Sequence, residues 1–281
     1  MAKAPIRLIA TDIDGTLLNP RFEIDPADRD ALIRAHNSGI EVVVVTGRRH
    51  TFAMPIVRQL GFELCVISSN GAVTRSASGQ TFHRHLMTSG VARRLCTSMR
   101  AFSGQTVITF DKDAKGAIVI ERMEQLTSSI RRWMEKNSDF IEIIAPLEDA
   151  LKSDPVQVMF CGSMSRMAQA LVALQDAGLD SEITVLRTEY PDRDLSMIDV
   201  LAAGCSKGHA LERWARHRGL DRTEVMAIGD NHNDVEMLEF AGHPVIMENA
   251  CEELRQRGWH VTASNGHCGV AAAVDRAMAM L

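Results

Sequence analysis

Two aspartates stand two residues apart in the run Thr11-Asp12-Ile13-Asp14-Gly15-Thr16, just after the short apolar segment Ile6–Ala10. At a strand end that spacing lets both side chains face one side, and Gly15 lets the chain turn sharply there. Two close carboxylates repel, so both ionise comfortably only near a cation. Mg²⁺ is the natural candidate, because it takes hard oxygen ligands and keeps waters and phosphate oxygens in its remaining positions. The same run also reads as a surface turn with a calcium-like or capping role.

A second acidic cluster, Gly229-Asp230-Asn231-His232-Asn233-Asp234, follows the apolar run Val225–Ile228. Asp234 or Asn233 can cap the next helix, and Asp234 can do so while still orienting a metal-bound water. Asp230, immediately past the strand, is harder to explain as a cap and is the candidate third metal ligand. Thr46-Gly47 offers a hydroxyl and a flexible amide at a helix start, where an anion is favoured; a plain Ser/Thr turn is the competing explanation. Lys207 opens a helix, where the dipole disfavours a cation. An anionic ligand explains it, and so does a solvated surface position.

The elements that must hold these residues alternate between apolar runs and helical segments, the mark of a parallel α/β sheet. Asp25-Pro26 opens a helix that ends near Gly39. Glu41–Val45, with four successive valines, suits a central strand buried on both faces. A helix over 51–60, a strand over 64–67 and a hairpin or domain exit over 74–84 follow. The stretch 85–187 carries helices at 89–102, 124–136 and 164–177. Its strands fall near 106–110, 117–121, 140–144, 156–161 and 183–186, a separate α+β module. The first pattern resumes with a strand at 195–201, a helix at 206–218 and a strand at 225–228. A helix at 234–241, a strand at 244–247 and a final helix at 270–280 complete it. The expected organisation is a doubly wound domain, residues 1–84 and 188–281, interrupted by an inserted domain at 85–187. Strands one, two and 225–228 each release polar residues at their carboxyl ends, where ligands bind in open α/β sheets.

The chain has 281 residues, 46% of them apolar, and a formal net charge of −5. That charge gives no general attraction to nucleic acid or anionic lipid. No apolar run approaches the ~18 residues needed to cross a bilayer, and Asp12 arrives too early for a signal-peptide core. The six cysteines lack C-x-x-C spacing and read as reduced thiols. The expectation is a cytoplasmic protein, monomer or homodimer. His83, His85 and His232 look bland, and the fifteen methionines look like core filler. Walker, dinucleotide-binding, zincin and serine-hydrolase motifs are missing.

Four blocks in chain order resemble the haloacid dehalogenase superfamily, in its Cof-type (subfamily IIB) branch. They are Thr11–Leu18, Val45–Arg48, Ser206-Lys207-Gly208 and Gly229–Leu238. Lesser signatures are Ser69-Asn70-Gly71-Ala72, Glu248-Asn249-Ala250 and Val261–Asn265. The resemblance implies a Rossmann-like core with an inserted C2-type cap at 85–187 that chooses the substrate. It implies a Mg²⁺-dependent phosphatase of a sugar phosphate or phosphorylated cofactor. Asp12 would be the nucleophile and become an aspartyl phosphate, and Asp14 the acid–base residue. Asp12, the Asp14 carbonyl and Asp230 would hold Mg²⁺. Thr46, Gly47, Lys207 and Asn233 would bind phosphate, and Asp234 would order the metal's water shell.

One departure stands out: His267-Cys268 precede Gly269-Val270 where the family usually has acidic residues. The same aspartyl phosphate would also serve a phosphosugar mutase. A phosphate sensor without catalysis would have no need of Asp14.

Overall fold

The computed structural model describes residues 5–122, 128–190 and 193–280. The expected helix at 124–136 therefore begins outside the described residues. Two compact units form, one from the two ends of the chain and one from its middle.

In the first unit, β1 (Leu8–Thr11), α1 (Pro26–Asn37), β2 (Glu41–Val45), α2 (His50–Val57) and β3 (Cys65–Ser68) lead into the hairpin β4 (Val73–Ser76) and β5 (Thr81–Arg84). Asp25 caps α1 by accepting the Ala27 amide, with Pro26 following it. The middle unit contains α3 (Ser89–Ser98), β6 (Thr106–Thr109), β7 (Ile118–Ile120), α4 (Ser128–Lys136) and β8 (Ile141–Ile143). It continues with β9 (Gln157–Gly162), α5 (Met164–Asp176), β10 (Ile183–Tyr190) and β11 (Leu195–Ala202). The first unit then resumes with α6 (Lys207–His217), β12 (Val225–Gly229), α7 (Val235–Phe240) and β13 (His243–Met247). Its last elements are α8 (Glu252–Arg255), β14 (His260–Thr262) and α9 (Gly269–Met278).

The first sheet has the order β14-β13-β12-β1-β2-β3-β4-β5, parallel as far as β3 and antiparallel through the hairpin. Its apolar runs lack polar alternation because both faces are covered. Ile9, Val42, Val44, Val66 and Ile228 pack with Leu32, Ala53 and Val274 from α1, α2 and α9. Leu8, Ala10, Val43, Val45 and Ala227 pack on the other face with Leu211 and Trp214 of α6 and Leu238 of α7. Period-two geometry sends successive side chains to opposite cores. Among the described residues no helix is long and apolar enough to cross a membrane.

The middle unit has its own sheet, β10-β11-β9-β6-β7-β8. One face packs Ile108, Val158, Phe160 and Ile198 against Leu95 of α3 and Met167, Ala170 and Leu174 of α5. The sequence pattern places the return to the first unit at residue 188, with the strand at 195–201 inside it. The return comes at Ser206 instead, and the middle unit spans His85–Cys205. The reason is pairing: Leu195–Ala202 runs antiparallel to both β10 and β9, so it is an interior strand of the second sheet.

The unusual His267-Cys268 pair lies at the start of α9. Cys268 adopts φ +56° and makes no side-chain cap. The missing acceptor comes from α1, where buried Asp28 takes the Ala271 amide at 2.7 Å through Oδ1 while its Oδ2 is buried without a partner. Burial pushes the Asp28 carboxyl up from 3.8 to about 6, against the pull of the Ala271 amide. A raised native pKa means the folded state holds the proton more tightly. The associated stability is complete below about 3.8 and is lost as pH rises through about 6. Asp28→Asn keeps the acceptor and removes the buried charge. It should stabilise the protein at pH 7.5 by about 2 kcal/mol, with the advantage vanishing near pH 4 in paired thermal melts.

Candidate active site

The Asp12 amide donates to the Ile228 carbonyl at 3.0 Å, which ties the first acidic loop to the strand leading into the second. The loop closes through Leu18 N–H to Ile13 O at 2.8 Å. Gly15 has φ +83°, and a Cβ there would sit 2.2 Å from Asp230 Oδ2, so both conformation and approach demand glycine. Thr16, buried, donates its hydroxyl to Asp230 Oδ1 at 2.8 Å. Two lesser signatures hold the same loop from outside. Asn249 Nδ2 donates to Gly15 O at 2.8 Å, and Asn265 Nδ2 donates to Leu18 O at 2.7 Å.

Lys207 is 1% exposed, which excludes the solvated-lysine explanation. Its ammonium donates to Asp12 Oδ1 at 2.7 Å and to Asp234 Oδ1 at 2.6 Å. Ser206 caps α6 beneath it by accepting the His209 amide. Asp234 Oδ2 accepts the amides of Asp230 and Asn231, both at 3.0 Å. Asp234 is thus a cap and a lysine partner at once, with both oxygens engaged.

Asp12, Asp230 and Asp234 bring one carboxylate oxygen each within 4.8 Å of one another. Three carboxylates against the single ammonium of Lys207 leave two negative charges uncompensated. Burial pushes the Asp12 carboxyl up to about 7; Lys207 pulls it down, while Asp234 and Asp14 add to the rise. Burial also carries Asp230 well above the ordinary range, helped by Asp12 and Asp234. Burial alone would lower the Lys207 pKa, yet Asp12 and Asp234 outweigh it and hold the ammonium charged. Asp12 Oδ2 and Asp230 Oδ2 receive no hydrogen bond among the described residues. Two free carboxylate oxygens and a double negative excess fit a divalent cation that completes its shell with water and substrate.

The loop after β2 lies beside this cluster in the fold. Thr46 is buried, its amide bonded to Ile67 O at 2.8 Å and its hydroxyl accepting the Arg48 amide at 3.1 Å. The Ser/Thr turn is therefore real. Asn70, after β3, links the remaining pieces. Its amide donates to Thr46 O at 3.0 Å, and its Oδ1 accepts Asn233 Nδ2 at 3.0 Å. A Cβ on Gly47 would lie 3.1 Å from the same oxygen. Asp14 stands outside the carboxylate cluster, paired with Arg48.

Sequence reasoning gave no role to Asn70, Thr16 or Arg48. An Asn-Gly pair just past a strand was the available signal for the first, and Asn70 adopts φ +53° there.

The profile of haloacid dehalogenase-like hydrolases matches residues 9–274. The chain belongs to that family. A haloacid dehalogenase-like hydrolase is an enzyme, and relatives of this one are phosphatases by name. The chain is 30% identical over 284 residues to phosphatase YwpJ of Bacillus subtilis, covering 95% of this chain and 98% of that one. It is 29% identical over 266 residues to pyridoxal phosphate phosphatase YbhA of Escherichia coli, covering 92% and 94%. A solved haloacid dehalogenase-like hydrolase from B. subtilis superposes with TM-score 0.80 at 25% identity, covering 96% and 99%.

A cation site of this kind should be visible without turnover. Adding Mg²⁺ to the metal-stripped hydrolase should raise its melting temperature, by about 2.7 kcal/mol in stability at a hundredfold excess over Kd. Asp230→Asn should abolish most of that response. Because the ligands must be deprotonated, the stabilisation should weaken as pH falls below about 7, where Asp12 takes up its proton.

Proposed function

We propose that the protein is a Mg²⁺-dependent phosphatase that hydrolyses a small phosphorylated metabolite, a sugar phosphate or phosphorylated cofactor, through an aspartyl phosphate on Asp12. The observation that carries this reading is the buried Lys207 joining Asp12 to Asp234 beside Asp230. A surface turn or a simple cap has no use for a fully buried ammonium between carboxylates. One relative is a pyridoxal phosphate phosphatase by name, which supports the size and kind of substrate.

Asp12, the Asp14 carbonyl and Asp230 are the groups that would hold Mg²⁺, and Asp234 would order its water shell. When bound, the cation neutralises charge on the phosphate so that an anionic nucleophile can approach. Asp12 attacks phosphorus as the bond from phosphorus to the alcohol oxygen breaks, forming an acyl phosphate and splitting one hard displacement into two. Lys207 orients Asp12 with one of three ammonium hydrogens and keeps one for a phosphate oxygen after serving Asp234. Thr46, the Gly47 amide and Asn233 complete the phosphate contacts, with Asn70 fixing Asn233. Asp14 protonates the departing alcohol and afterwards takes a proton from the attacking water. The middle unit, 85–205, is assigned the choice of leaving group by the family resemblance.

Activity is expected on a generic aryl phosphate, lost with chelator, and reduced by at least about 10³-fold in Asp12→Asn. A broad panel of phosphate esters, including sugar phosphates and pyridoxal phosphate, tests the reading. No turnover of any of them would sink it. Interconversion of hexose phosphates stimulated by a sugar bisphosphate would replace it with a mutase.

A further inference from the structure

Asp14 is held by a second charge, Arg48. Arg48 Nε donates to Asp14 Oδ2 at 2.7 Å, and Nη2 donates to Oδ1 at 2.5 Å. The pair is about one-third exposed on both sides, 30% for Arg48 and 34% for Asp14. A single-bond ion pair that exposed would add little and leave the carboxylate free to rotate. The two-bond form differs, because a planar guanidinium meeting a carboxylate fixes its plane as well as its place. Among the described residues the Asp14 carboxylate receives no other hydrogen bond.

The backbone of Arg48 is pinned in turn. Its amide donates to Thr46 Oγ1 at 3.1 Å, and its carbonyl accepts the Ser69 amide at 2.8 Å. One short loop, Thr46-Gly47-Arg48, therefore carries the hydroxyl assigned to phosphate and the arm that aims the acid–base carboxylate.

We propose that Arg48 is a positioning residue that orients Asp14 for its work as the base of the second half-reaction. The assignment builds on the phosphatase reading above. In that step Asp14 takes a proton from water, and the water oxygen bonds to phosphorus. The bond from phosphorus to the Asp12 oxygen breaks, its electron pair returns to the Asp12 carboxylate, and inorganic phosphate is released. The proton gained by Asp14 is the one it gives to the next leaving alcohol, so the cycle closes.

Rapid mixing with an aryl phosphate, whose leaving group departs without a proton, separates the two half-reactions. Arg48→Gln should release close to one equivalent of the aryl alcohol at the parental rate. A steady state at least about tenfold slower should follow, with no rise in KM. Asp14→Ala should show the same burst, and adding Arg48→Gln to it should slow turnover by less than about twofold, since both changes remove one function. Arg48→Lys, which keeps the charge without the two-bond geometry, should fall between the parent and Arg48→Gln.

A first turnover slowed in step with the steady state would make Arg48 a structural residue and overturn the proposal. So would a raised KM at unchanged kcat, which marks a grip on phosphate, or an unchanged steady state. An inactive parent chain would defeat the phosphatase reading first and this assignment with it, so the two failures are told apart by which protein is silent.

Discussion

A lysine ammonium buried between two carboxylates is the constraint around which the first unit is arranged. Taking such a group out of water is costly, and removing one partner of a buried pair typically destabilises by about 3–5 kcal/mol. Lys207 therefore needs Asp12 and Asp234, and they need it. The requirement fixes where α6 starts, because its first turn must descend among three loops. Two glycines allow the descent. A Cβ on Gly71 would meet the Ser206 carbonyl at 2.2 Å, and one on Gly208 would meet the Glu236 backbone at 2.5 Å. The Ser206 hydroxyl contacts Glu236, joining α6 to α7 at the same point.

Around that ion cluster the loops brace one another through side-chain amides rather than through more charge. Asn70 joins the segments after β2, β3 and β12, while Asn249 and Asn265 hold the Asp12–Leu18 loop through its carbonyls. An amide can donate and accept at once, so it connects loops without adding to an already negative site. The excess charge stays where a cation and an anionic ester can use it.

The parts legible in the sequence were those written locally. Four valines in a row announced a strand buried on both faces, and Asp12-Ile13-Asp14-Gly15-Thr16 announced a tight acidic turn. Lys207 drew notice because a helix start repels it, and its partners lie 195 and 27 residues away. What was not legible depends on partners rather than pattern. Leu195–Ala202 has the apolar character of either sheet, and only its neighbours β9 and β10 assign it to the second. Arg48 could have faced solvent, and nothing local couples it to a carboxylate 34 positions earlier. Asp28 likewise stands in the first turn of α1, where any acid is at home, and only α9 packed against it makes it an amide acceptor.

The order of strands also bears on how the molecule comes into being. β1 lies between β2, made soon after it, and β12, made only after the whole middle unit. During synthesis the middle stretch, His85–Cys205, is continuous and has its own core, so it can fold as a unit as it emerges. The first unit cannot, because β1 keeps an open edge and Asp12 has no ammonium beside it until the region from Ser206 onward exists. Assembly of the site is thereby tied to synthesis of the region that carries α6 and β12. A truncated product would present a sticky sheet edge to the cell and no chemistry.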